Sequence, residues 1–132
     1  MALLVANEGE QLALEMITNK TAAEDLILRL YENDYTPVET SALVNFTEAT
    51  FTGYSQASLA NADWTIPDGG PATHVKKTFT SSAGSQSKSA YGYYVVHVTA
   101  GVVLYAERFT DGPYSIVNDQ DKIEVTAVLA AD

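Results

Sequence analysis

The chain contains no cysteine, which removes disulfide staples, thiolate nucleophiles and cysteine-ligated metals together. Only two histidines are present, His74 and His97. Neither belongs to an H-x-H or H-E-x-x-H spacing, so the sequence carries no local metal signature. Basic residues are scarce: seven Lys and Arg stand against 17 Asp and Glu, a net charge of −10. That balance repels phosphate backbones and anionic lipid, so neither nucleic acid nor a membrane is expected as a partner. Lys76 and Lys77 form the one adjacent basic pair, too short for an electrostatic groove. No apolar run approaches the roughly 20 residues that a membrane-crossing helix needs. The stretch ALLVA after Met1 lacks a basic flank and a cleavage pattern, so no secretory signal is read there and soluble, cytosolic synthesis is expected. Neither a G-x-S-x-G elbow nor a G-x-x-x-x-G-K-[ST] loop occurs.

What is present is one domain's worth of chain, 132 residues, long enough for a single core without staples. Its densest apolar and aromatic stretch is AYGYYVVHVTAGVVLYAERF, residues 90–109, which reads as a long β-hairpin. A type I turn over 98–101, with Gly101 left-handed in a G1 bulge, would pair Val98 with Val102 and each later pair one residue further out. One face then carries Val98, Val102, Val96, Leu104, Tyr94 and Ala106, wholly apolar and the core candidate. The other carries His97, Val103, Val95, Tyr105, Tyr93, Glu107, Tyr91 and Phe109, expected to be partly wet or covered by a partner. A two-residue loop at Ala100 and Gly101 mixes polar and apolar groups on each face and is the poorer register.

Residues 1–20 read as an N-terminal arm and helix, and 21–132 as a β body within one domain. Asn7 followed by Glu10 has capping-box spacing before a helix over about 8–18. Leu12, Ala13, Met16 and Ile17 form its apolar stripe, expected to dock on its own domain, or else to make an arm reaching a neighbouring subunit. Residues 25–31 alternate cleanly, with Leu26, Leu28 and Leu30 on one face and Ile27, Arg29 and Tyr31 on the other. A short helical turn is expected within 41–49. Strands follow up to about Leu59 and over 73–80, 114–117 and 122–129, the last with Ile123, Val125, Ala127 and Leu129 inward. The small, polar stretch 81–89 reads as a flexible connection or polar edge. Short strands at near-regular spacing after one helix define the fold class as mostly β, an antiparallel β-sandwich or small barrel.

Candidate chemistry is thin. His97 reads as a strand residue with a solvated or partner-facing ring. Asn118-Asp119-Gln120-Asp121 lacks the Gly and the downstream Glu of a calcium loop and reads as a turn. Asp68-Gly69-Gly70 precedes a strand, so no helix N-terminus is there to hold a phosphate. The eight tyrosines crowd the hairpin as sheet-stabilising pairs, and an exposed row of them would favour protein or sugar binding. No catalytic, cofactor-binding or metal residue is assigned, and an enzyme is not expected.

The segments LRLYENDYTP (28–37), NFTEATFTGY (45–54), the stretch around Trp64, YGYYVV (91–96) and LYAERF (104–109) together resemble small virion structural proteins of tailed bacteriophages, of the kind that decorate or cement heads. The resemblance covers nearly the whole chain and rests on strand and turn phrases. It implies a jelly-roll-like β-sandwich body and a homo-oligomer that binds the major capsid protein on the virion surface. Shell geometry points to a trimer, and a protein saddling two capsomers to a dimer. A virion-attached carbohydrate- or receptor-binding module and a tail or neck component are the alternatives.

Overall fold

The computed structural model describes residues 4–17, 26–68 and 71–130. In chain order these form β1 (Leu4–Val5), α1 (Asn7–Ile17), β2 (Leu26–Tyr31), β3 (Ala57–Leu59), β4 (Trp64–Thr65), β5 (Ala72–His74) and β6 (Lys77–Thr80). They continue as β7 (Lys88–Ala90), β8 (Gly92–His97), β9 (Val102–Arg108), β10 (Tyr114–Ile116), β11 (Lys122–Val125) and β12 (Val128–Leu129). The expected mostly-β, antiparallel body with one helix near the N-terminus is what the chain forms.

A five-stranded sheet in the order β1-β9-β8-β2-β3 runs through the middle. Against one face lie three smaller sheets, β10-β7, β11-β6 and β12-β5-β4. Leu28, Leu30, Tyr93, Val95 and Tyr105 of the central sheet meet Phe79, Ile123, Val125, Ile116 and Ala127 there, the larger core. The opposite face is covered by the connection after β2. Phe46 from that connection stacks on Tyr94 at 4.6 Å and meets Tyr31 edge-on at 5.1 Å, closing a second core with Val96, Val103 and Ala106. This overturns the expected division of the hairpin faces. The aromatic face of Tyr93 and Tyr105 lines the larger core, the Tyr94 face the smaller, and every residue of β8 is buried. A central strand with a layer on each side has no wet face.

The hairpin register agrees with the bulged reading in its outer half, from Val95↔Tyr105 out to Gly92↔Arg108. Nearer the turn it differs: Val96 pairs with Val103 and His97 with Val102, leaving Leu104 as the extra residue. The bulge thus sits inside β9 rather than at the turn. Val98, freed from the ladder, is half exposed in a four-residue loop, closed by the Gly101 N–H donating to the His97 carbonyl at 2.9 Å. Gly101 is left-handed, as expected, with φ of 66°.

The Leu104 bulge also receives the N-terminal arm. β1 pairs with the outer edge of β9 through Leu4↔Ala106 and Val5↔Tyr105. Gly9 then packs so closely that a Cβ there would stand 2.0 Å from the Leu104 carbonyl oxygen. The arm therefore docks on its own domain. The expected cap is different: the helix begins at Asn7 itself, whose N–H donates to the Glu39 carbonyl at 2.8 Å. Ala13 of the apolar stripe is exposed. The side chains of Leu12, Met16 and Ile17, like residues 18–25 and Gly69 and Gly70, lie outside the described residues.

Two long expected strands are each broken once. Residues 73–80 split into β5 and β6, and 122–129 into β11 and β12; β6 pairs with β11 and β5 with β12. At the break the Val75 N–H turns away to the Asp63 carbonyl. The inward residues stand, with Ile123, Val125 and Ala127 buried. The polar stretch 81–89 is not a free connection. Ser81 is fully buried, donates to the Ala83 carbonyl at 2.8 Å and accepts from Gln86 Nε2 at 2.7 Å. Its N–H donates to Asp121 O, Ser82 N–H donates to Thr52 O, and the stretch ends in β7. Hydroxyls and amides that look solvating in sequence here replace water for a buried backbone.

Candidate functional site

The two histidines stand in different sheets, and both are buried. His74 ends β5 with Nδ1 at 2.9 Å from the Val75 carbonyl and Nε2 at 3.3 Å from the Ala60 carbonyl. Trp64 meets its ring edge-on at 5.0 Å. These contacts pin the short connection before β4 to β5. His97 is only 1% exposed, which corrects the expectation of a solvated or partner-facing ring. Its Nδ1 accepts the Ala100 N–H at 3.2 Å, so the ring closes the hairpin loop from within. Among the described residues no group of three His, Asp or Glu is placed to hold a metal ion.

Residues 118–121 form the expected turn. The Asp121 carboxylate accepts the Val117 N–H at 2.9 Å and the Asn118 N–H at 2.8 Å. The Asn118 bond, then that from Val117, holds its carboxyl below the ordinary carboxylate value, because both stabilise the anion.

The tyrosines do not make an exposed row. Tyr31, Tyr93, Tyr94 and Tyr105 are buried in the two cores. Burial pushes Tyr31 up to about 12 and drives Tyr54, Tyr93 and Tyr105 further above the usual phenol value. Tyr54 is doubly tied: its hydroxyl donates to Glu48 at 2.8 Å and accepts the Leu30 N–H at 3.2 Å. The Tyr105 hydroxyl, by contrast, has no hydrogen-bond partner among the described residues.

Tyr91 is the tyrosine that lines a depression. Together with Glu32, Ser87, Lys88 and Ser89 it borders an open hollow of about 310 Å³. Glu32 follows β2, and its carboxylate accepts both the N–H and the hydroxyl of Thr50 at 3.0 Å. The same hydroxyl accepts from Lys88 Nζ at 3.0 Å. Thr50 thus bridges an anion and a cation. Tyr91 is fixed by its N–H to the Tyr31 carbonyl and by its own carbonyl, which accepts the Phe109 N–H, both at 2.9 Å. The Arg108 guanidinium lies 5.2 Å from the Tyr91 ring centroid and pairs with Asp34 at 2.7 Å. Sequence reading missed this hollow because Glu32, Thr50 and Lys88 are far apart in the chain and form no spacing motif. The one local signal, alternating Ser87-Lys88-Ser89, was absorbed into a polar stretch.

Comparison with known proteins finds no matching family model, no matching curated protein and no matching solved structure.

Proposed function

We propose that this chain is a virion structural protein of a tailed bacteriophage, a decoration or cement protein that self-associates and binds the assembled head shell through the major capsid protein. The sequence resemblance carries the family, and one observation supports a scaffold role. The central sheet is covered on both faces by the chain's own layers, and its histidines and most of its tyrosines are spent on packing and internal bonds. Such a body leaves the edges of several small sheets and the turns between them outward, and an exposed strand edge is a template for pairing with another chain. The charge of −10 keeps free copies apart in solution, so that association waits for a complementary partner. Closed point symmetry with threefold or twofold axes would follow from the capsomer junctions.

The test is imaging of intact particles with this chain located in the density, together with its copy number. Occupancy of every equivalent position on the head is the expected result. A few copies confined to the tail or neck, or none in the particle, would overturn it.

A further inference from the structure

We infer that the hollow bordered by Glu32, Ser87, Lys88, Ser89 and Tyr91 is a binding site for a neutral pyranose sugar. The inference is independent of the placement on a virion, since it concerns the isolated domain.

Four features lead there. The first is size: a hollow of about 310 Å³ that stays open to solvent has room for one sugar ring and not for a folded partner. The second is chemistry. Four of the five bordering side chains are polar, which disfavours an apolar ligand. Serine hydroxyls that donate and accept, an ammonium that donates and a carboxylate that accepts match a ring whose hydroxyls do both.

The third is charge. Glu32 and Lys88 are joined through Thr50, so the site's own formal charges cancel. A cationic ligand would meet Lys88, and an anionic one would meet Glu32 within a chain of net charge −10. A neutral ligand meets neither penalty. The fourth is preorganisation. Glu32 and Lys88 are held by Thr50, and Tyr91 by two backbone bonds and the Arg108–Asp34 pair. Groups already fixed lose little freedom on binding. Tyr91 supplies the one aromatic side chain of the border, and aromatic rings with a polar tip suit a ligand with both C–H and hydroxyl faces.

The experiment is a titration of the ¹⁵N-labelled full chain with methyl glycosides of glucose, galactose, mannose and N-acetylglucosamine, followed by amide shifts. At least one of them should move amides at Glu32, Thr50 and residues 87–91, with millimolar affinity as befits an open site. Lys88→Met, at an exposed side chain, and Glu32→Gln, which keeps an acceptor for the Thr50 N–H, should leave the spectrum away from the hollow in place and weaken binding about tenfold, the effect of one lost charge-assisted hydrogen bond. No movement with any of the four sugars would overturn the inference. So would shifts that persist undiminished in both variants, or tighter binding of glucose 6-sulfate than of its neutral parent. Since binding is read on free protein, its failure leaves the virion placement untouched, and absence from the particle leaves a positive titration standing.

Discussion

Two tyrosines with opposite hydrogen-bond accounts give the sharpest contrast among single side chains. Tyr105 is completely buried with a hydroxyl that has no partner among the described residues, and burying a hydroxyl without a bond costs about 1–3 kcal/mol. Tyr105→Phe removes the oxygen and keeps the ring, so it should stabilise the fold by about 1 kcal/mol in urea unfolding. Tyr54→Phe leaves the Leu30 N–H and the Glu48 carboxylate each short of a bond and should cost about 1 kcal/mol in the same assay. Equal effects of the two changes would refute this account. Gly9 is the other residue with no latitude. A methyl group there would press on the Leu104 carbonyl, which is backbone and cannot swing aside. Gly9→Ala should destabilise by about 1–3 kcal/mol, as overpacking does, with loss of amide-exchange protection concentrated in β1 and α1.

At the scale of elements, the β8–β9 hairpin shows what the sequence discloses and what it withholds. Gly101 was legible as the left-handed turn residue, and space around it is open, with nothing within 4 Å of a Cβ. Only the backbone conformation should therefore be felt: Gly101→Asn should be nearly neutral, and Gly101→Val should cost about 1–2 kcal/mol in thermal unfolding. The outer register was legible too, because alternation of Tyr93, Tyr94 and Val95 has only one sensible partnering. The bulge at Leu104 was not, since nothing local to the hairpin marks it and the Leu104 carbonyl packs against Gly9, distant in the sequence. The same holds for the breaks in residues 73–80 and 122–129, which lie alongside each other throughout but shift register by one residue between Lys77↔Val125 and Thr73↔Val128, where the Val75 N–H bonds to the Asp63 carbonyl instead. Local alternation writes the strands into the sequence; contacts across tens of residues choose their bulges, breaks and caps. The hollow beside Tyr91 was illegible for that reason, being assembled from the connection after β2 and from β7 with the residue on either side of it, stretches distant from each other in the chain.

For the molecule as a whole, the buried phenols set an alkaline limit. Burial is the first cause of the raised values at Tyr31, Tyr54, Tyr93, Tyr94 and Tyr105. In the unfolded chain each would ionise near 10.0. The folded state binds these protons more tightly, so their contribution is intact below about pH 10 and falls away as pH rises; for Tyr31 the loss is complete above about 12. Tyrosinate absorbance in the near ultraviolet should show late, cooperative ionisation of these groups coinciding with loss of the far-ultraviolet β signal. Gradual ionisation near pH 10 with the fold intact would contradict it.

The only tryptophan of the chain stands in the outer β12-β5-β4 sheet beside His74, whereas Tyr31, Tyr93, Tyr94 and Tyr105 belong to the central one. Nature has thus placed two optical gauges in separate layers. Indole emission reports the outer layer, and the late-ionising buried phenols report chiefly the middle, so a ligand, a partner or a denaturant that loosens one layer ahead of the other will announce which, with no label attached.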